Sequence, residues 1–288
     1  FEADESDASF LLSNPYCSIV TNAEPEHMEY YNYDYEKFFD SYKTFINAGK
    51  IRVLNMEDEY IKTFDIKDAI EFYPSVDIKN ISYILKDDEP FTKFELKDYG
   101  YFEVWGFGYH IAINTSLAIL AALNELDVET IRENLKSYKG IKKRFDVLQK
   151  CETFVLVDDY AHHPTEIEAT MKSVELYDNL KNLNKRVVIW QPHKYSRTHD
   201  NLEGFKKCFK RCDELIILPI WTVPGEQKLD INFEEEFKEY NPIFADKIQA
   251  LDCKINIVKD NNIIKFYDTG LVIGVGAGDI TYQLRGNN

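Results

Sequence analysis

The sequence predicts an α/β protein whose C-terminal half contains a mainly parallel sheet. From about residue 141, short apolar runs alternate with helical segments, which is typical of a sheet covered on both faces. The expected strands are FVLVDDY, RVVIWQP, ELIILPI, KINIV and GLVIGVGAG. The expected helices are PTEIEATMKSVELYDNL, NLEGFKKCFKRC and FEEEFKEYNPIFADKI. Because such sheets bind ligands at the carboxyl ends of their strands, the residues after each apolar run are the candidate site.

The N-terminal half begins a similar alternation. YCSIVTNA, at residues 16–23, is apolar enough for a buried strand, and the next segment predicts a loop and then an amphipathic helix ended by Gly49. Short β-branched or aromatic runs within residues 51–108 predict antiparallel strands joined by turns: IRVLNM, ISYIL, FTKFELKDYG and YFEVWGFG. Apolar residues at helical spacing then predict two helices, with a break at LDVETI and an end at Gly140.

Composition and charge exclude several classes of protein. The 288 residues are enough for about two domains, and the net charge of −16 argues against a sequence-independent nucleic-acid binder. No apolar run approaches the roughly 20 residues that cross a bilayer, so we expect no membrane span. The five cysteines form no Cys-x-x-Cys pair, and we expect reduced, mostly buried thiols in the cytoplasm.

Two acids, a tyrosine and two histidines follow the first of these C-terminal strands, in the stretch VLVDDYAHHPTEIEA. Pro164 fits the first position of a helix, so a capped helix with Asp158 and Asp159 as turn residues is one interpretation. Turn chemistry does not require the adjacent His162 and His163, which favour a binding site. Zinc is a further alternative, although no third nearby ligand is evident.

Two further loops have the same layout. WQPHKYSRTHD places His193, Lys194 and Arg197 just past a strand, and VGAGDI places small residues and Asp279 after another. Three loops at one sheet edge, two of them with imidazoles and cations, predict a site for a phosphorylated or carboxylated ligand.

A series of motifs occurs in a fixed order from residue 2 to about residue 280: EADESDASFL, VTNAEPEHMEYY, GYHIAINTSLAILAAL, GIKKRFDVL, VDDYAHHPTEI, WQPHKYSRT and VGAGDI. In this series the chain resembles the peptidoglycan Mur ligases, and in particular the members that join L-alanine to UDP-N-acetylmuramate. The ligase that recycles a murein tripeptide is the nearest alternative within the family. The resemblance implies a cytoplasmic, ATP-dependent amide ligase of cell-wall synthesis that works through an acyl phosphate.

The resemblance also implies an enzyme of three domains. Residues 1–139 would be the C-terminal part of the central ATP-binding domain, and residues 140–288 a Rossmann-like ligase domain. The N-terminal UDP-binding domain is not recognisable. The phosphate-binding motif G-x-x-x-x-G-K-[ST] is missing too, since the only Gly-Lys pair, at residues 49 and 50, lacks its flanking residues. We therefore expect this chain to be inactive without the N-terminal portion of the same enzyme.

The family reaction uses ATP and Mg²⁺, because one anion attacks another and the charge must be neutralised. By resemblance, Glu2 and His27 bind magnesium, and His27 belongs to the catalytic group. Arg144 matches the catalytic arginine on the terminal phosphate, and Asp159 matches the acid that holds the ATP ribose.

Further positions match the nucleotide and substrate sites of the family. His110 and Asn114 match residues near the nucleotide, and Ile111 stands where the family usually has an asparagine that contacts adenine. The amino-acid and product carboxylates would be held by a group that includes the catalytic His162: Tyr160, His162, His193, Lys194 and Arg197.

Two interpretations from other classes stay open on the sequence. A noncatalytic module could use only the C-terminal sheet to bind a nucleotide or a partner protein. A nicotinamide dehydrogenase is disfavoured, because G-x-G-x-x-G does not follow the first strand of that sheet.

Overall fold

The computed structural model describes residues 3–286, which form two compact units. Unit 1 contains residues 3–82, 92–104 and 109–138. Unit 2 contains residues 83–91, 105–108 and 139–286. The assignment of residues 1–139 and 140–288 to two domains of one enzyme stays a prediction. Glu2, expected to bind metal, lies outside the described residues.

The elements of unit 1 fall into two three-stranded sheets and their helices. In chain order they are β1 (Cys17–Val20), α1 (Tyr35–Ala48), β2 (Ile51–Asn55), β3 (Ile70–Phe72), α2 (Pro74–Asp77), β4 (Ile78–Lys86), β5 (Glu89–Leu96), β6 (Gly100–Trp105), α3 (Tyr109–Ala122) and α4 (Val128–Leu135). The sheet orders are β1-β2-β3 and β4-β5-β6. Residues 83–91 of β4, β5 and their turn, and Trp105 of β6, belong to unit 2.

Strand β2 is parallel to β1 and β3, so the antiparallel arrangement expected for IRVLNM was wrong. The reason is a βαβ crossover, in which α1 connects β1 to β2 and Cys17 pairs with Ile51. The side chain of Asp34 caps the first turn of α1. A Cβ at Gly49 would lie 2.6 Å from Ser18 Oγ, so a glycine is needed where the end of the helix approaches β1.

Helices α3 and α4 confirm the two helices predicted after residue 109, with the break near LDVETI. The break occurs at Asp127, whose side chain accepts a hydrogen bond from Thr130 N and caps α4. Apolar side chains of the sheets, such as Phe72 and Phe94, are fully buried in one cluster with Leu117 of α3. Unit 1 therefore has a core of its own.

Unit 2 contains the regular alternation that the sequence predicts. Its further elements are β7 (Asp146–Lys150), β8 (Phe154–Asp159), α5 (Pro164–Lys181), β9 (Arg186–Trp190), α6 (Tyr195–Asp200), α7 (Leu202–Cys208), β10 (Glu214–Ile217), α8 (Phe233–Glu236), β11 (Ile243–Phe244), β12 (Lys247–Leu251), β13 (Lys254–Lys259), β14 (Asn262–Tyr267), β15 (Gly270–Val275) and α9 (Ile280–Leu284).

A six-stranded sheet in the order β11-β10-β9-β15-β8-β7 forms the centre of unit 2. Its strand pairs are parallel except for β7, which runs antiparallel to β8. This confirms the mainly parallel α/β fold. The side chains of β8 alternate between two cores, with Val155 and Val157 on one face and Phe154 and Leu156 on the other.

Two expected elements of unit 2 were wrong. KINIV forms β13, which pairs antiparallel with β12 and β14 in a separate sheet. That sheet and α9 cover the face of the central sheet opposite α5 and α7. The long helix expected in FEEEFKEYNPIFADKI is only the short α8 and a 3₁₀ turn, because Asn241 takes a left-handed conformation (φ 45°) directly before Pro242.

Hydrogen bonds from α5 hold the two segments of unit 2 that precede residue 139, residues 83–91 and 105–108. Ser173 Oγ donates to Phe107 O at 2.8 Å. Tyr177 Oη donates to Asp88 O at 2.7 Å. Phe107 and Tyr177 are also buried in the core beside α5. These segments therefore fold as part of unit 2.

Cys151 and Cys253 are joined by a disulfide, so the expectation of reduced thiols was wrong for this pair. The bond connects the turn after β7 with the turn between β12 and β13. Cys17, Cys208 and Cys212 are free thiols. The pair was missed because 102 residues separate its members and no local spacing motif marks it.

No helix within residues 3–286 is long and apolar enough to cross a membrane.

Replacing both Cys151 and Cys253 with serine should lower the free energy of unfolding. The disulfide joins residues 102 positions apart. In the chain-entropy model, closing a loop of that length lowers the entropy of the unfolded chain and so stabilises the folded state by about 4–5 kcal/mol. Urea unfolding without reductant measures the difference. Cys17→Ser, which removes a free thiol, is the matched control. Alkylation of both Cys151 and Cys253 in the native, unreduced protein would contradict this pairing.

Candidate functional site

The carboxyl ends of β8, β15 and β9 lie side by side in unit 2. Asp159 is in register with Val275, and Val275 is in register with Trp190. Hydrogen bonds continue the pairing past the strands, from Gly276 N to Asp159 O at 3.2 Å and from Gln191 N to Val275 O at 3.0 Å. The three loops singled out in the sequence therefore leave the sheet at one edge, as predicted.

Asp159 is a buried carboxylate that anchors two segments of backbone. Its Oδ2 accepts a hydrogen bond from Phe145 N at 2.9 Å, and its Oδ1 accepts one from Ala161 N at 2.8 Å. The side chain is only 5% exposed. Burial raises the pKa of Asp159 to about 6, although the two backbone N–H groups oppose this rise. Asp159 thus fixes the segment before β7 against the end of β8.

Asp158 has a different environment from its neighbour. Its Oδ2 accepts hydrogen bonds from Thr281 Oγ1 at 2.6 Å and from Arg285 Nη2 at 2.8 Å. The same Arg285 nitrogen lies 2.5 Å from Asp146 Oδ2, which also accepts from Lys143 N at 3.3 Å. The buried charge of Asp158 is therefore balanced by an ion pair. Both acids have tertiary roles beyond those of turn residues.

His162 is held by groups at the start of α5. Its Nδ1 lies 2.9 Å from Tyr160 O, and because a carbonyl only accepts, Nδ1 carries the proton. Glu166 Oε2 accepts hydrogen bonds from His162 N at 2.9 Å and His163 N at 3.2 Å. Burial acts to raise the pKa of Glu166, but the charge of His162 and these N–H groups lower it overall. Pro164 occupies the predicted first position of the helix.

Arg144 lies at the surface of the same region. Its Nη1 is 3.5 Å from Glu166 Oε1, and its side chain is 49% exposed. Arg144 is adjacent to Phe145, whose N–H is held by Asp159. The position of Arg144 is therefore set by the acid at the end of β8.

His193 and Arg197 form a hydrogen-bonded pair in the loop after β9. Arg197 Nη1 lies 3.0 Å from His193 Nδ1, and because a guanidinium only donates, this nitrogen accepts. The rings of His162 and His193 have centroids 6.0 Å apart. Burial, followed by the charge of Arg197, lowers the pKa of His193 to about 4. His193 is therefore neutral near pH 7, with its proton on Nε2.

The loop after β10 packs against the loop after β9, which the sequence analysis missed. Lys194 N donates to Trp221 O at 2.9 Å, and Trp221 N donates to Pro192 O at 2.8 Å. Glu226 Oε1 accepts hydrogen bonds from Ser196 N and Ser196 Oγ, both at 3.2 Å. The only sequence signal was a polar turn, VPGEQ, after an apolar strand.

The glycines of VGAGDI allow close packing at the end of β15. A Cβ at Gly278 would lie 2.3 Å from Gln191 Oε1 and 2.7 Å from Trp221 Cβ. Gln191 in turn accepts from Ile280 N at 3.0 Å and donates to Asp279 Oδ1 at 2.6 Å. Asp279 therefore orients a neighbouring amide.

Three ligand-bearing side chains converge in unit 1. Among residues 3–286, Glu5, Glu26 and His27 are the one group of three or more His, Cys, Asp or Glu residues whose ligand atoms lie within 4.8 Å of one another. Carboxylate oxygens suit a hard cation such as Mg²⁺, so the donor set fits the expected metal. Glu5 and Glu26 were not predicted as ligands. No such group includes His162 or His163, and zinc at those histidines gains no support.

The remaining predicted residues of unit 1 lie on α3. His110 and Asn114 are exposed and four residues apart, which places them on one face of the helix. The structure therefore brings the predicted residues together in three separate groups, one in unit 2 and two in unit 1. In unit 2 it groups the residues of the β8 and β9 loops: Arg144, Asp159, Tyr160, His162, His193, Lys194 and Arg197. In unit 1 it groups His110 with Asn114, and His27 with two acids.

Known proteins resemble this chain over almost its whole length. UDP-N-acetylmuramate–L-alanine ligase from Helicobacter pylori strain J99 is 56% identical over 99% of this chain and 63% of its own length. The protein of the same name from Campylobacter curvus is 52% identical over 99% of this chain and 65% of its own length. The chain thus spans about 63–65% of the length of these relatives.

A solved structure and a family description agree with these relatives. The crystal structure of UDP-N-acetylmuramate-alanine ligase from Thermotoga maritima has a TM-score of 0.72 with 20% identity, covering 99% of this chain and 62% of that chain. At this identity the likeness establishes the fold. Residues 143–274 match the family described as Mur ligase, glutamate ligase domain. Residues 143–274 of the chain therefore belong to the Mur ligase family.

Proposed function

We propose that this chain supplies residues 1–139 of a central ATP-binding domain and residues 140–288 of a C-terminal ligase domain. The enzyme would join L-alanine to the lactyl carboxylate of UDP-N-acetylmuramate in the cytoplasm, as a step of peptidoglycan precursor synthesis. The observation that carries this proposal is the convergence of imidazoles and cations at the ends of β8 and β9. This convergence occurs in a chain that is 56% identical to the UDP-N-acetylmuramate–L-alanine ligase from Helicobacter pylori strain J99.

Joining a carboxylate to an amine requires that the carboxylate first be activated. Attack of the carboxylate on the terminal phosphorus of ATP gives an acyl phosphate and ADP, and the amine then displaces phosphate. Both reactants of the first step are anions, so cations must lie close to them. We assign Arg144 to the terminal phosphate. Its exposed guanidinium is positioned by the neighbouring Phe145, whose backbone N–H donates a hydrogen bond to the Asp159 carboxylate.

The loops after β8 and β9 suit the amino acid and the product carboxylates. Lys194 and Arg197 supply positive charge, and His193 supplies a neutral N–H donor at Nε2. Tyr160 and His162 pack edge to face, with ring centroids 5.3 Å apart. We assign these five residues to carboxylate binding, with His162 the catalytic member of the group.

The nucleotide and metal roles rest on residues of each unit. We assign the ribose to Asp159, although both its oxygens already accept backbone hydrogen bonds. In unit 1 we assign the nucleotide to His110 and Asn114. Glu2, His27 and the neighbouring acids would hold Mg²⁺, which neutralises phosphate charge when bound.

The full polypeptide that contains this sequence should release ADP and phosphate continuously only when UDP-N-acetylmuramate, L-alanine, ATP and Mg²⁺ are all present. A coupled ADP assay with omission of each component measures this. The 288-residue chain alone should show no turnover, because it has no G-x-x-x-x-G-K-[ST] motif for the phosphates. Turnover with a murein tripeptide in place of L-alanine would instead support the recycling ligase. ATP binding without turnover in either assay would support a binding module.

Mn²⁺, as a paramagnetic substitute for Mg²⁺, should bind this chain through His27. His27→Ala should weaken binding by at least about tenfold, since even partners of metal ligands change affinity by about 10- to 100-fold. Electron paramagnetic resonance of free Mn²⁺ measures the affinity. His199→Ala, at an exposed histidine in unit 2, is the control. Equal Mn²⁺ affinities of the two variants would show that His27 does not bind the metal.

The neutral His193 should make stability depend on pH. Its pKa falls from 6.5 to about 4 on folding, so the unfolded chain binds a proton that the folded chain does not. The free energy of unfolding should therefore decrease as the pH is lowered through this range. His193→Gln, whose amide oxygen can still accept from Arg197, should lose that part of the decrease. Urea unfolding at several pH values tests this against His199→Gln. Identical pH profiles for the two variants would contradict a neutral His193.

A further inference from the structure

Glu226 has one satisfied and one unsatisfied carboxylate oxygen. Oε1 accepts two hydrogen bonds from Ser196, from its backbone N and its Oγ, both at 3.2 Å. Oε2 is buried and has no hydrogen-bond partner within residues 3–286. A buried carboxylate oxygen without a donor costs free energy. The arrangement therefore suits a donor that a ligand supplies.

The surroundings of Glu226 belong to the proposed carboxylate site. Ser196 lies between Lys194 and Arg197 in sequence, and the charge of Glu226 acts on the His193 ring. The loop that carries Glu226 is fixed there, because Trp221 O accepts from Lys194 N at 2.9 Å. Gly225, with φ +84°, provides the turn directly before Glu226. The acid thus stands beside the residues assigned to carboxylates.

Other acids at these strand ends are already engaged. Asp159 accepts backbone hydrogen bonds at both oxygens. Asp279 accepts from Gln191 at one oxygen and from Gln283 at the other. Asp158 also has an oxygen without a partner, but its charge is balanced by Arg285. Glu226 differs because its unsatisfied oxygen lies next to the β9 loop and no ion pair to its carboxylate is seen among the described residues.

We infer that Glu226 Oε2 receives the α-ammonium group of the incoming amino acid. The inference rests on the proposed function and extends it to the amine end of the substrate. An amino acid carries a carboxylate and an ammonium group on adjacent atoms, so its site needs cations and an acid close together. Lys194 and Arg197 fulfil the first requirement, with His193 as a neutral N–H donor beside them, and Glu226 fulfils the second. This pairing selects amino acids over carboxylic acids that lack the amine.

Glu226→Gln tests the inference in the full polypeptide. Glutamine keeps an oxygen that can accept from Ser196, but it replaces Oε2 with an NH₂ donor that repels an ammonium group. The KM for L-alanine should rise about 10- to 100-fold, the loss expected for one hydrogen bond to a charged group. The KM for ATP and the melting temperature should not change. Glu203→Gln, at an exposed glutamate paired with Lys206, is the matched control and should leave all three values unchanged.

The outcomes separate the inference from the proposed function. An unchanged KM for L-alanine in an active Glu226→Gln enzyme would overturn the inference and leave the function standing. Equal rises in the KM for L-alanine and ATP, with a lower melting temperature, would overturn it too, because they indicate a structural role.

If the wild-type polypeptide does not ligate L-alanine, the proposed function fails, and Glu226 is tested by binding alone. In the 288-residue chain, L-alanine should then shift the amide NMR signal of Ser196 while propionate, which lacks the amine, should not. Equal shifts with both ligands, or no shift with either, would overturn the inference.

Discussion

The register of β8, β15 and β9 determines where every candidate group of unit 2 can lie. Asp159, Val275 and Trp190 are aligned across the sheet. The alignment is enforced by burial, because the side chains of β8 alternate between two apolar cores. A slip of one residue would exchange the two faces and place each side chain in the wrong core. The loops that carry imidazoles and cations are therefore held at one edge by the hydrophobic packing beneath them.

Charge at this edge is arranged locally, against a chain with a net charge of −16. Asp158 is neutralised by Arg285, and Asp159 is stabilised by two backbone N–H groups. In the described part of unit 2, no contact is seen between either acid and the cations of the β9 loop. Lys194 and Arg197 lie in the loop where anionic substrates are proposed to bind. An acidic protein can thus contain a site for anions without a basic surface.

Sequence patterns predicted the features that depend on local chemistry and on buried strands. They identified four of the six strands of the central sheet, the start of α5 at Pro164, and three loops at one edge, but not β7 or β11. They failed where distant contacts decide. KINIV is as apolar as a central strand, but its pairing with β12 and β14 places it in another sheet. Cys151 and Cys253, far apart in sequence, gave no signal, and neither did Glu226, whose proposed role depends on its contact with Ser196 in a different loop.

The two imidazoles of the site differ in a way that no sequence pattern reveals. His162 faces a carbonyl through Nδ1 and therefore carries its proton there. His193 faces a guanidinium through Nδ1 and therefore carries its proton on Nε2. Because Arg197 also disfavours a second proton on that ring, His193 can orient a carboxylate as a neutral donor. In the proposed carboxylate site, Lys194 and Arg197 would supply the charge, so orientation and electrostatic attraction would come from different side chains of one short loop.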